Sequence, residues 1–130
     1  NGQTQANSHD HGDVMVQLAT YNKDYELYVE VSPLVAGGHA EVLVHITRLS
    51  DFKPLPSGSV TVSLQSGGEA DTQTAEEATS MGIYSFHLHP HAAGSAKLVF
   101  KIESDEGVSS LTIDGLRVYG LLRRATLGAH

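Results

Sequence analysis

The sequence predicts an all-β domain, and three observations support this prediction. Apolar residues alternate with polar residues in several short segments, a period of two that is typical of half-buried β-strands. Turns rich in glycine and proline separate these segments, and no segment shows the 3.6-residue period of an amphipathic helix. The pattern therefore favours an immunoglobulin-like antiparallel β-sandwich of about seven strands.

The first half of the chain contains three predicted strands. Residues 25–32 alternate until Pro33 ends the run, and residues 39–49 alternate after a glycine turn. Residues 50–58 contain two prolines and a glycine, which indicates a loop. The third strand, residues 60–65, shows the most regular alternation of apolar and polar residues.

The second half continues the same pattern. Residues 69–80 are acidic and weakly patterned, so they are predicted as an edge strand or a long loop, whereas residues 84–88 and 96–103 alternate clearly. The last strand covers residues 111–118, and Asp114-Gly115 shifts its phase, which indicates a bulge. The inward positions give the predicted core: Leu27, Val29, Val42, Val44, Val60, Val62, Phe86, Leu98, Phe100 and Ile113.

The length of 130 residues fits one domain with a packed core. Residues 1–13 are polar and without periodicity, so we expect a disordered leader, followed by the sandwich over residues 14–120. Residues 121–130 are interpreted as a linker stub or tail. No apolar run approaches the roughly 20 residues that cross a bilayer.

Composition argues against two classes of function. The net charge of −7 makes nucleic-acid binding a poor candidate, because such binding depends on lysine and arginine. The absence of cysteine excludes thiolate metal sites and cysteine nucleophiles. The sequence also lacks a nucleophile elbow, a zinc-protease helix motif and a phosphate-binding glycine loop. We therefore expect a domain that is not an enzyme and requires no cofactor.

Histidine is unusually frequent, with eight in the chain. The segment His87-Leu88-His89-Pro90-His91 places two imidazoles at positions i and i+2, which lie on one side of a strand about 6.6 Å apart. Imidazole suits copper and zinc, so His87, His89 and His91 are the candidate metal ligands, with copper or zinc as the candidate ion. The alternative is that His87 and His89 simply occupy the solvated face opposite Leu88.

Three other histidines are possible ligands. His45 lies on the polar side of its predicted strand and is a candidate further ligand, although an exposed strand histidine needs no role. His9 and His11 flank Asp10 in the polar leader, where ordering a flexible backbone costs roughly 1–2 kcal/mol per residue. A solvated leader is therefore the preferred interpretation of His9 and His11.

Most of the chain resembles a known domain. The stretches ELYVE, PLVAG, HITRLSDFKPL and SGSVTVSL, within residues 21–64, resemble the N-terminal domain of periplasmic adaptors, the membrane fusion proteins of RND-type efflux systems. The resemblance continues in MGIYSFHLHPHAAGSAKLVFKIES and LTIDGLRVY, residues 81–104 and 111–119. Some of these systems export heavy metals. The metal-binding methionines of that family have no counterpart, because Met15 and Met81 are isolated.

The resemblance implies a location and a role. It implies a non-catalytic accessory domain in the Gram-negative periplasm, held at the inner membrane through a longer parent protein. Its partners would be other domains and subunits of an efflux complex. The lipoyl-like and helical-hairpin segments of such adaptors are not found in this sequence, so one domain of the parent is expected. Two alternatives remain: a small periplasmic metal-binding β-sandwich that uses surface histidines, and a generic cell-surface sandwich module.

Overall fold

The computed structural model describes residues 15–120, which form an all-β structure. Its nine strands are β1 (Val16–Tyr21), β2 (Tyr25–Val31), β3 (Ala40–Arg48), β4 (Lys53–Pro54), β5 (Ser59–Ser66), β6 (Glu69–Ala75), β7 (Ile83–Leu88), β8 (Gly94–Ser104) and β9 (Gly107–Val118). The described part of the chain contains no helix long and apolar enough to span a membrane.

The strands form two antiparallel sheets. In the five-stranded sheet, β3 pairs with β2 along one edge, and β2 pairs in turn with β1. The other edge of β3 is shared by β4 and β7. The four-stranded sheet has the order β9-β8-β5-β6. This arrangement is consistent with a β-sandwich.

One hydrophobic core joins the inner faces of the two sheets. Leu27 and Val44 from one sheet and Phe100 from the other are fully inaccessible to solvent. All ten residues predicted as core are buried, which confirms the period-two interpretation. Phe86 and Ile113 are the least deeply buried of the ten, at 5% and 7% exposure.

Polar side chains connect the two sheets at both lateral edges. On one side Asn22 donates from Nδ2 to the Ser109 hydroxyl at 2.8 Å and to the Ser110 carbonyl at 3.1 Å. On the other side the backbone N–H of His89, just after β7, donates to the Asp71 carboxylate of β6 at 2.7 Å. Each edge of one sheet is thus held to the adjacent edge of the other sheet.

The structure contains more strands than the six or seven that the alternation indicated. Strand β1 was missed because only Val16 and Leu18 are apolar at its inward positions. Strand β4 was missed because it has two residues inside a loop that contains prolines. For residues 69–80 the alternatives were an edge strand or a long loop, and residues 69–75 form an edge strand. The bulge is confirmed by a register shift between Ile113 and Leu116, where Gly115 has a φ of 78°.

The expected leader, residues 1–13, and the expected tail, residues 121–130, lie outside the described residues.

Candidate functional site

The structure places His87 and His89 on the same side of β7. His87 belongs to the strand, His89 follows its last residue, and both are exposed while Leu88 between them is fully buried. This arrangement is the one that alternation predicts for a strand with one face on the core. His91 is also exposed and lies beyond the buried Pro90.

The two strand histidines have different neighbours. His87 lies opposite Glu41 of β3 in the antiparallel register, and its Nε2 is 3.4 Å from the Glu41 Oε2. Both side chains are about two-thirds exposed, at 66% and 69%, so water screens their interaction strongly. His87 and Glu41 therefore form a solvated cross-strand pair.

His89 lies next to another histidine, His39, which immediately precedes β3. The two ring centres are 5.3 Å apart, with a 47° angle between the ring planes. The Asp71 carboxylate approaches His89 from the other sheet, with 3.9 Å between Asp71 Oδ2 and His89 Nδ1. Two imidazoles and one carboxylate therefore come together from three separate segments of the chain.

His45 lies elsewhere on the same sheet face. It pairs with Ile83, four residues before His87 on β7, which corresponds to roughly 13 Å along a strand. Its ring packs edge-on against Tyr28, with 5.8 Å between ring centres. The structure thus places His45 with an aromatic neighbour rather than with His87 and His89.

The metal site expected at His87, His89 and His91 remains a prediction. Within residues 15–120, no group of three or more histidine, cysteine, aspartate or glutamate side chains is arranged to hold a metal ion. The candidate ligands His9 and His11 lie outside the described residues.

Sequence reasoning missed His39 and Asp71 as neighbours of His89. His39 is 50 residues away from His89 in the chain, and the two meet because Ala40 pairs with Leu88. The sequence does show that His39 and His89 each stand directly next to a segment that alternates as a strand. Using this observation would have required knowing that residues 40–48 and 83–88 are paired.

The outward side of the five-stranded sheet carries large apolar side chains. We call this outward side the aromatic face, and its apolar and aromatic members are Ala19, Tyr21, Tyr28, Leu43, His45 and Ile83. Tyr21 is 76% exposed and Tyr28 is 40% exposed, while Leu43, His45 and Ile83 are half-buried. Exposed apolar side chains grouped in this way are typical of interaction surfaces.

The charges on the aromatic face have one sign. Glu26, Glu30 and Glu41 occupy outward positions of β2 and β3. The outward positions of β1, β2, β3 and β7 include no lysine or arginine. A depression of about 460 Å³ lies at one end of this face, where His39, Glu41 and His87 contribute to its lining. The surface therefore combines apolar side chains with carboxylates and imidazoles.

The other substantial depression, about 760 Å³, lies beside the bulge of β9. Its titratable side chains are Glu69, Lys97, Asp114 and Arg117. It is an open depression at the end of the four-stranded sheet, and among residues 15–120 no histidine contributes to its lining.

Comparison with known proteins assigns no function to this chain, so its interpretation depends on its own residues. The sequence matches no protein-family model, and a comparison with curated proteins gives no match.

Proposed function

We propose that this chain is a non-catalytic interaction domain of a periplasmic efflux adaptor, with an immunoglobulin-like strand arrangement. Two observations support the proposal: the resemblance of the sequence to such adaptor domains, and the exposed aromatic face. The aromatic face carries the argument from structure, because it is the feature of the surface whose chemistry suits contact with another protein. In the parent protein this domain lies in the periplasm and is held at the inner membrane through the other segments.

The aromatic face has the composition of a binding surface. Tyr28 sits between Ala19 and His45 in the register, so it has a cross-strand neighbour on each side. Tyrosines present a large apolar area with a hydroxyl that can find a partner, which makes them frequent energetic centres of protein interfaces. Covering Tyr28 and Tyr21 would remove apolar surface from water, which favours association.

The charges of the aromatic face specify the chemistry of its occupant. Glu26, Glu30 and Glu41 surround the apolar side chains without any lysine or arginine at the outward strand positions. Like charges across an interface are unfavourable, and opposite charges increase the rate of encounter. The occupant is therefore a protein surface of the efflux complex that carries lysine or arginine around an apolar centre.

Site-specific crosslinking in the full-length parent protein tests this proposal. A photoreactive phenylalanine replaces Tyr28 on the aromatic face, and the matched control replaces Thr74 on the outward side of the four-stranded sheet. We expect crosslinks from position 28 to another domain or subunit of the efflux complex, and at least several-fold fewer from position 74. Equal crosslinking from both positions would contradict a role for the aromatic face.

A charge-reversal variant separates specific docking from accidental contact. Replacing Glu30 with Lys should reduce crosslinking from position 28, because the basic occupant then meets a like charge. Crosslinks that lead only to proteins outside an efflux complex would contradict the adaptor assignment and would favour a generic surface module.

A further inference from the structure

We propose that His39 and His89 together bind a divalent transition-metal ion such as Cu(II) or Zn(II), through one ring nitrogen of each histidine. The pair differs from the three histidines of the sequence motif, because one ligand comes from the segment before β3. The proposal rests on the geometry of these side chains and does not depend on the proposed interaction role.

The separation of the two rings suits a shared ion. A metal ion about 2.1 Å from one nitrogen of each imidazole lies about 3.2 Å from each ring centre, so a tetrahedral angle separates the centres by about 5.3 Å. The observed separation between the ring centres of His39 and His89 is 5.3 Å. The spacing of the two ring centres is therefore the one that a common ion needs.

The backbone holds the two histidines in this position. Ala40 pairs with Leu88 directly beside them, and the Gly37 N–H donates to the Pro90 carbonyl at 3.0 Å on the other side. The His89 N–H is fixed by Asp71 at 2.7 Å. Because these bonds constrain both segments before any ion arrives, binding costs less conformational entropy than it would on an unconstrained segment.

Asp71 supports the pair from the other sheet. Its side chain is 18% exposed, and its Oδ2 lies 3.9 Å from His89 Nδ1, which is too far for a hydrogen bond but close enough to become one after a small shift. Metal-bound histidines usually donate their second ring N–H to a carboxylate or carbonyl, and this contact fixes the ring orientation. In this arrangement His89 binds the ion through Nε2, while Nδ1–H faces Asp71.

The ligand set selects the class of ion. Imidazole nitrogens favour copper, nickel and zinc, whereas magnesium and calcium require oxygen ligands. Two protein nitrogens leave the remaining coordination positions to water, since within residues 15–120 no group of three or more such side chains is arranged to hold an ion. The site is thus an open one, with Cu(II) bound more tightly than Zn(II).

Titration calorimetry with Cu(II) and Zn(II) tests the site on the full chain. We expect His39→Ala and His89→Ala each to weaken binding by roughly tenfold or more, since even the loss of a supporting group typically costs 10–100-fold. Asp71→Asn keeps an oxygen that can accept from the His89 N–H, and it should weaken binding by less than either ring deletion.

Two matched controls keep the test decisive. A His87→Ala, His91→Ala variant and a His9→Ala, His11→Ala variant should each bind within about twofold of the parent at the His39–His89 site. Amide signals in NMR spectra provide a second measurement, because substoichiometric Cu(II) should broaden Ala40 and Leu88 in the parent but not in His39→Ala. Unchanged affinity and unchanged broadening in His39→Ala would overturn the proposal, whichever other histidines then proved to bind.

Discussion

The two outward faces of this domain differ in chemistry, although the two inward faces are built from the same kinds of residue. The aromatic face of the five-stranded sheet has Tyr28 beside His45 at its centre. The outward side of the four-stranded sheet includes a hydroxyl face on β5, β6 and β9, which comprises Thr61, Ser63, Thr72, Thr74, Ser110 and Thr112, while the outward positions of β8 carry Lys97, Val99, Lys101 and Glu103. Its hydroxyls bond to one another, as in Thr61 with Thr74 at 2.9 Å and Thr72 with Ser63 at 3.1 Å.

This difference shows which positions of a two-sheet protein are constrained by folding and which are left free for function. Inward positions on both sheets must be apolar, because they share one core. Outward positions are free of that requirement. The threonines of the hydroxyl face hydrogen-bond to one another and need no partner, whereas the tyrosines next to carboxylates on the aromatic face leave apolar area available for contact. Under the proposed function, the aromatic face contacts another protein and the hydroxyl face remains in water.

The largest effect should come from the shared core. Replacing Phe100 with Ala should lower the free energy of unfolding by about 3–5 kcal/mol, and replacing Leu27 with Ala by about 2–5 kcal/mol, because each change leaves a cavity. Urea unfolding followed by circular dichroism measures both values. A cost below about 1 kcal/mol for only one of the two residues would show that the inward faces are not equivalent.

A smaller effect should come from the polar group inside the core. Tyr84 is fully inaccessible, and its hydroxyl donates to the Gly58 carbonyl, next to β5, at 2.8 Å. Tyr84→Phe removes this connection between the sheets and leaves the carbonyl without that donor, which should cost about 1–3 kcal/mol in urea unfolding. A fully stable Tyr84→Phe variant would show that the hydrogen bond adds nothing to packing.

Tyr84 should also make the free energy of unfolding depend on pH in the alkaline range. Burial raises the pKa of the Tyr84 hydroxyl, and the nearby Tyr25 raises it further. The pKa of tyrosine in the unfolded chain is about 10. The resulting stabilisation is therefore complete below about pH 10 and is lost as the pH rises through the folded-state pKa. The parent should lose stability more steeply than Tyr84→Phe in this range, and identical slopes would contradict the assignment.

The smallest effect should come from the hydroxyl face. Thr74→Val removes one partner of the Thr61 hydroxyl, and a cross-strand pair of this kind contributes roughly 0.2–1 kcal/mol. Comparing Thr61→Val, Thr74→Val and the double variant isolates the coupling between them in urea unfolding. A coupling well above 1 kcal/mol would mean that the hydroxyl face stabilises the fold and is not simply a solvated surface.

The alternation of residues predicted the core residue by residue, because a strand with one face on the core must repeat every two positions. Leu27, Val62 and Phe100 could therefore be assigned without any knowledge of their partners. The bulge was also predictable, since Asp114-Gly115 breaks the alternation locally. Strand β1 escaped prediction because an edge strand with few apolar residues shows little periodicity.

The candidate sites were predicted less completely, for a physical reason. The exposure of His87 and His89 followed from their positions around Leu88, which is a local property of the strand. The contact of His89 with His39 and Asp71 depends on which strands pair and on how the edges of the two sheets meet. Such contacts join residues far apart in the chain, and no local pattern encodes them.

By itself the sequence determined that the chain is all-β, which side chains enter the core and where the last strand kinks. Each of these properties follows from periodicity, turn residues or glycine, and each acts over a few neighbouring positions. The tertiary structure alone decided that β3 shares one edge between β4 and β7, that Tyr28 lies between Ala19 and His45, and that His39 meets His89. These features depend on the pairing of distant strands, which is set by the packing of the whole core rather than by any one segment.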